Sequence, residues 1–230
     1  MSRPGPVALV GSGEYLPVML ETERLLLDGR PPRYVQLPTA AAPEGQGSLD
    51  RWIGLGQEQA ERLGVEAVPV VARDRSEADD PGLAAQVAGA GLVYLSGGNP
   101  PYLASTLRGT RLWEAVLAAW RGGAALAGCS AGAMALSSWV PDIRHPARAA
   151  DPGLGVVDLR VIPHFDRISG WMPDIVSRYL ARATGAVVGI DEDTALVRFD
   201  DKWVVHGRQS VWLLTADGRT GFAAGETVPV

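Results

Sequence analysis

The sequence predicts an α/β fold of three α/β/α layers, with a mostly parallel central sheet and antiparallel strands added near the C-terminus. Two observations carry this. Short apolar runs bounded by Gly or Pro alternate with longer one-face runs through the first half of the chain. After that, strand-like runs follow one another with little helix between them. Residues 7–10, 34–37, 65–71, 92–96 and 124–127 read as strands. Residues 18–28, 46–63, 77–89 and 111–121 read as helices; in the last, Leu112, Ala115, Val116 and Ala119 share a face. Parallel strands need crossover connections, so strand–helix alternation implies a sheet covered on both faces. Residues 156–162, 186–190, 194–199, 202–206 and 210–214 supply the later strands. A helix is expected over 173–183, and tight turns at Asp200–Asp201 and at 207–209. No repeat or linker interrupts the 230 residues, so one domain over 1–230 is expected.

Composition narrows the function. Apolar residues make up 47% and charged residues 20%, enough for a sizeable core. The net charge of −5, with no Lys/Arg run, gives no basic footprint for nucleic acid. The lone cysteine, Cys129, excludes an intrachain disulfide and a Cys-based zinc cluster. The first residues lack a signal peptide's apolar stretch, and the long uncharged stretches 83–107 and 122–141 are rich in Gly, Ala, Ser and Pro rather than Leu, Ile and Val. A cytoplasmic protein is expected, with no membrane partner.

In an open parallel sheet, ligands sit beyond the carboxyl ends of the strands. One such end reads Gly128-Cys129-Ser130-Ala131-Gly132, a G-x-S-x-G sequence closing an apolar strand and opening a helix. A nucleophile on so sharp a turn needs small neighbours, and the turn lifts its hydroxyl above the sheet while aiming the Ala131 N–H at a developing oxyanion. A small-residue turn present only for close packing is the alternative. Cys129 is a rival nucleophile, but its position points toward the core, so Ser130 is favoured.

A serine needs a base. His206 falls in a strand and His145 in a polar stretch, whereas His164 follows Pro163 off a strand end, on the face where Ser130 is expected. For the carboxylate that orients the imidazole, Glu192 in Asp191-Glu192-Asp193 is the first choice, with Asp142, Asp166 and Asp191 as alternatives. Another strand runs into Gly97-Gly98-Asn99-Pro100. Asn99 suits an N-cap before a helical Pro100, and the Gly98 N–H would be a second oxyanion donor. Gly11-Ser12-Gly13 lacks the third glycine of a dinucleotide fingerprint.

Gly97-Gly98-Asn99, Gly128-Cys129-Ser130-Ala131-Gly132-Ala133-Met134, Pro163-His164-Phe165 and Gly189-Ile190-Asp191-Glu192-Asp193 together resemble peptidase family S51, which contains dipeptidase E and the cyanophycinases. The resemblance runs from about Val7 to Leu214. It implies a class I glutamine amidotransferase-like fold with serine in place of that group's cysteine, Ser130 as nucleophile, His164 as base, and Gly98 and Ala131 as oxyanion donors. Glu192 matches the third triad member proposed for cyanophycinases, while Asp142 lies in the segment that supplies an aspartate in dipeptidase E. Two departures concern substrate. Pro100 and Pro101 follow Asn99 where cyanophycinase-like chains carry Gln, and no Arg-rich stretch follows His164. The compact length suits dipeptidase E better. Asn99, Arg167, Arg178 and Trp171 are candidate substrate contacts, the arginines because an aspartyl substrate needs a cation. Met172 would add to an apolar rim.

The expected function is serine peptidase action on short peptides, with an N-terminal or β-linked aspartate as the candidate feature. No metal or organic cofactor is implied. The expected partner is a small peptide substrate; a homodimer is left open. Two other readings compete: an esterase or amidase for small metabolites, and a non-catalytic binding module on the same fold.

Overall fold

All four residues of the first strand, β1 (Val7–Val10), are buried, which is why an apolar run without alternation forms here: both faces of the strand are covered. The computed structural model describes residues 3–140, 151–171, 180 and 185–230. Next to β1 in the chain come β2 (Arg33–Leu37), β3 (Glu66–Pro69), β4 (Leu92–Leu95) and β5 (Ala125–Cys129). These five are parallel where they pair, in the spatial order β1-β5-β4-β2-β3. Alternate residues feed two cores. Leu9, Leu37, Val93 and Leu126 belong to one, and Ala8, Val10, Tyr94 and Ala127 to the other.

Helices cover both faces. α1 (Leu20–Leu27) and α2 (Gln46–Leu63) contribute Leu26 and Ala60 to the second core. α2 stops at Gly64, whose φ of 72° is the left-handed cap conformation. The first core takes residues from α3 (Arg75–Ala78), α4 (Pro81–Ala85), α5 (Pro100–Leu107), α6 (Arg111–Arg121) and α7 (Ala131–Ala135). In α6 the Thr110 side chain caps the Trp113 N–H, and Leu112, Trp113 and Val116 are buried. Residues 77–89, expected as one helix, are instead split between α3 and α4. Pro81 restricts Asp80 to an extended backbone, and the Asp80 side chain caps a new start at Leu83.

Beyond α7 comes a two-stranded ribbon of β6 (Trp139–Val140) and β7 (Asp151–Pro152). It is followed by β8 (Leu159–Ile162), α8 (Phe165–Trp171), β9 (Ala186–Ile190), β10 (Thr194–Phe199), β11 (Lys202–Gly207), β12 (Val211–Thr215), β13 (Gly218–Phe222) and β14 (Thr227–Val228). Antiparallel strands do extend the central sheet, as β10, β11 and β14 beside β1. The other later strands form a second sheet, ordered β13-β12-β9-β8, with Val161, Val188 and Val211 in the first core. The helix expected over 173–183 lies, residue 180 apart, outside the described residues. Among the described residues no helix is long and apolar enough to cross a membrane.

On the α1–α2 face, Glu23 is buried near Tyr15 and Tyr34, whose rings pack edge to face with each other and beside Tyr94. Burial raises the Glu23 carboxyl from 4.5 to about 8, the polar ends of Gln59 and Tyr34 offsetting part of that rise. A raised carboxyl stays neutral in the folded chain while its unfolded counterpart ionises above 4.5. Folding stability therefore drains away between that pH and about 8, then levels off. Glu23→Gln lacks this dependence. Its stability relative to the unmodified chain is expected to climb by about a few kcal/mol across that window, read from urea midpoints at a series of pH values; a pH-independent difference would refute it.

Candidate active site

Val10 lies opposite Cys129 in the parallel β1–β5 pair, so the chain leaves the sheet at Ser130 beside the end of β1. The Ser130 N–H donates to the Val10 carbonyl at 2.9 Å, and its own carbonyl accepts from Met134 N–H at 3.1 Å. Between these bonds the backbone takes φ 49° and ψ −107°, a conformation that costs a non-glycine residue about 1–3 kcal/mol. The flanking glycines make it attainable. A β-carbon on Gly128 would lie 2.5 Å from the Gly132 carbonyl carbon, and one on Gly132 would lie 2.3 Å from the Leu95 carbonyl oxygen. Strand and helix meet at a distance that excludes side chains.

A second pair of strand ends brings the partners. β8 and β9 run parallel with Ile162 opposite Gly189, so His164 and Glu192 emerge side by side. His164 has φ 51° and its carbonyl accepts the N–H groups of Arg167 and Ile168, which starts α8. Its neighbour Phe165 is buried against Trp212, with ring centroids 6.2 Å apart, and this seats the imidazole. His164 Nε2 lies 3.0 Å from Ser130 Oγ, and Nδ1 lies 3.1 Å from Glu192 Oε1.

Glu192 is held on every side. Its N–H donates to Asp166 Oδ1 at 2.9 Å, and its carbonyl accepts from Thr194 Oγ1 and Gln209 Nε2 at 3.0 Å each. Its second carboxylate oxygen pairs with Arg167 Nη2 at 3.2 Å. The other two acids of the loop face elsewhere. Asp191 accepts from Trp212 Nε1 at 3.0 Å and from the Ser210 N–H at 3.2 Å; burial pushes its carboxyl up, and these donors offset part of the rise. The Asp193 N–H donates to Ser12 Oγ at 3.3 Å. Of the weighed carboxylates that lie among the described residues, Glu192 reaches the imidazole, while Asp166 braces its backbone and Asp191 binds the indole. Asp142 lies outside the described residues.

Across the elbow, Gly98 takes φ 136°, and a β-carbon there would lie 2.3 Å from the Ala40 carbonyl oxygen. Both facts require glycine. Asn99 spends its side-chain oxygen capping the Tyr102 N–H at 3.0 Å. Cys129 is fully buried, and its thiol donates to Glu14 Oε2 at 2.7 Å. Burial, with Glu14 alongside, pushes the thiol well above its ordinary range, the reverse of what a thiol nucleophile needs. His206 sits in β11 paired with Ala195, its imidazole lowered by burial. Trp171 ends α8. His145, Met172 and Arg178 lie outside the described residues. Among the described residues no group of three or more His, Cys, Asp and Glu is placed to hold a metal ion.

Sequence reasoning passed over Gln209 and Thr194, which hold Glu192, and Glu14 beneath the elbow. The first two carry no local mark. Glu14 had one, since it stands in the loop after β1, among those where a ligand site is expected.

Comparison with known proteins places the chain in a family. The family model for peptidase family S51 matches residues 7–205. The crystal structure of a peptidase from an acI-B1 actinobacterium superposes with a TM-score of 0.91 at 41% identity, covering 98% of this chain and 96% of that one. A protein of Listeria monocytogenes EGD-e described as a candidate peptidase E shares the fold at a TM-score of 0.65 and 20% identity, over 90% of this chain and 100% of that one. No curated protein matches the sequence significantly. With the match spanning β1 to β11, the chain belongs to peptidase family S51.

Proposed function

We propose that the chain is a serine peptidase that hydrolyses short peptides through an acyl-enzyme on Ser130. The observation that carries this is the unbroken line from Ser130 Oγ to His164 Nε2 at 3.0 Å and from His164 Nδ1 to Glu192 Oε1 at 3.1 Å. His164 takes the hydroxyl proton as Ser130 attacks the scissile carbonyl, and Glu192 holds the ring and stabilises the imidazolium. The oxyanion is received by the N–H of Gly98 and by that of Ala131, the first residue of α7, which has no acceptor within its own helix. Collapse of the tetrahedral adduct expels the amine, which collects the proton from His164. Water then repeats the sequence on the ester, freeing Ser130. Order along the chain, Ser then His then Glu, is immaterial; geometry defines the roles.

The substrate proposal is a peptide with an N-terminal or β-linked aspartate. Arg167 supports it: its side chain is 73% exposed while one amino group holds Glu192, leaving further donors of the guanidinium for a carboxylate. The proposed setting is the cytoplasm.

Ser130→Ala is expected to lower peptide hydrolysis by about 10⁴-fold or more without loss of fold by circular dichroism, and to abolish labelling by a fluorophosphonate. Cys129→Ser is expected to keep labelling and turnover within about an order of magnitude, since it retains a small donor beneath the elbow. Full activity in the Ser130 variant ends the proposal. Glu192→Gln is expected to depress kcat by about 10²- to 10⁴-fold, measured on the best dipeptide from a library screen with product identification. Turnover of acyl esters without any peptide would favour an esterase instead.

A further inference from the structure

Glu14 is a carboxylate buried to 6% exposure, outside the Ser–His–Glu line. It stands in the loop after β1, yet touches the ends of β5 and β4, the next two strands across the sheet. Oε2 accepts the thiol of Cys129, the last residue of β5, and Oε1 accepts the Gly97 N–H at 3.0 Å, just past β4. One side chain therefore spans three adjacent strand ends beneath the nucleophile.

What it pins matters for the donor at Gly98. The Gly98 N–H belongs to the peptide plane joining Gly97 and Gly98. The plane before it is fixed by the Gly97–Glu14 bond, and the plane after it by the Asn99 N–H donating to the Ala40 carbonyl at 2.8 Å. Between these anchors are two glycines, the residues least able to hold a direction on their own. We infer that Glu14 is a positioning residue that orients the Gly98 N–H for the oxyanion by clamping Gly97 to the elbow strand. This rests on the acyl-enzyme reading above. Charge alone argues the opposite way, since a buried anion opposes a developing oxyanion nearby. A group retained for its charge and one retained for its geometry therefore make different predictions.

The test compares Glu14→Ala with Glu14→Gln, which removes the charge but keeps an oxygen that can accept from Gly97. Turnover is normalised to sites titrated with a fluorophosphonate, so misfolded protein does not count. Glu14→Ala is expected to lower kcat per titrated site by about 10- to 100-fold, with KM within about threefold, and Glu14→Gln to recover most of that loss. Should Glu14→Ala fail to fold, Gly97→Ala displaces the same carboxylate, because its new methyl would lie 2.9 Å from Oε1; it is expected to show the same fall. The inference is overturned by unchanged kcat per site in the loss variant, by a change confined to KM, or by a Gln variant as slow as Glu14→Ala; a Gln variant at or above the parent rate supports it, since geometry is kept and the opposing charge removed. If the unmodified chain is not labelled at Ser130, the peptidase reading itself fails, which is a separate outcome.

Discussion

Gly128, Gly132 and Leu95 approach one another so closely that none of the contacts would survive a β-carbon on either glycine. That crowding is what allows β5 to become α7 without a loop. A strand followed immediately by a helix must reverse direction within a single residue, and the reversal falls on Ser130, held at φ 49°. The unfavourable torsion is maintained by its surroundings, with the bond to Val10 on one side and the first turn of α7 on the other. Because α7 is packed against β4 and β5, the hydroxyl cannot relax into the sheet. The strain belongs to the neighbourhood rather than to the residue.

The elbow hydroxyl and the side chains lined up with it come from different sheets. Ser130 leaves the central sheet, while His164 leaves the second sheet after β8. Glu192 occupies the crossing between the two, since β9 belongs to one sheet and β10 to the other. The three acids of that crossing divide the work by direction. The Asp191 carboxylate is tied back to Trp212 on β12, the Asp193 carboxylate lies against Gly13 after β1, and that of Glu192 between them faces the imidazole. His164 and Asp193 share with Ser130 and Tyr15 the left-handed backbone that non-glycine residues rarely adopt. These four stand at the exits of β5, β8, β9 and β1, around the candidate site, while the fifth such residue among those described, Asp200, turns the β10–β11 hairpin.

Signals confined to a few consecutive residues were legible in the sequence. The elbow, the Pro163-His164 strand exit, the Gly97-Gly98 turn and the Asn99 cap each carry their steric reason within a short stretch. The division of the later strands into two sheets was not legible, because β9 and β10 look alike locally and only their partners differ. The split at Pro81 was written in Asp80-Pro81-Gly82 but was outweighed by the helical runs on either side. Glu192 was the first choice among the acids, but the reason lies in geometry: the ladder pairings of β9 and β10 turn its carboxylate toward His164 and that of Asp191 toward Trp212. Glu14 shows the limit most clearly, since its contacts at Gly97 and Cys129 lie 83 and 115 residues away.

The sealed thiol of Cys129 has a further consequence. Oxidation by peroxides and disulfides begins with attack by the thiolate on them, and here the sulfur is both protonated and shut away from solvent. A hydroxyl one residue further on offers such reagents nothing to oxidise. The chemistry proposed for Ser130 would therefore be the same in oxidising and reducing surroundings, an independence that the same turn with sulfur at its apex would forfeit.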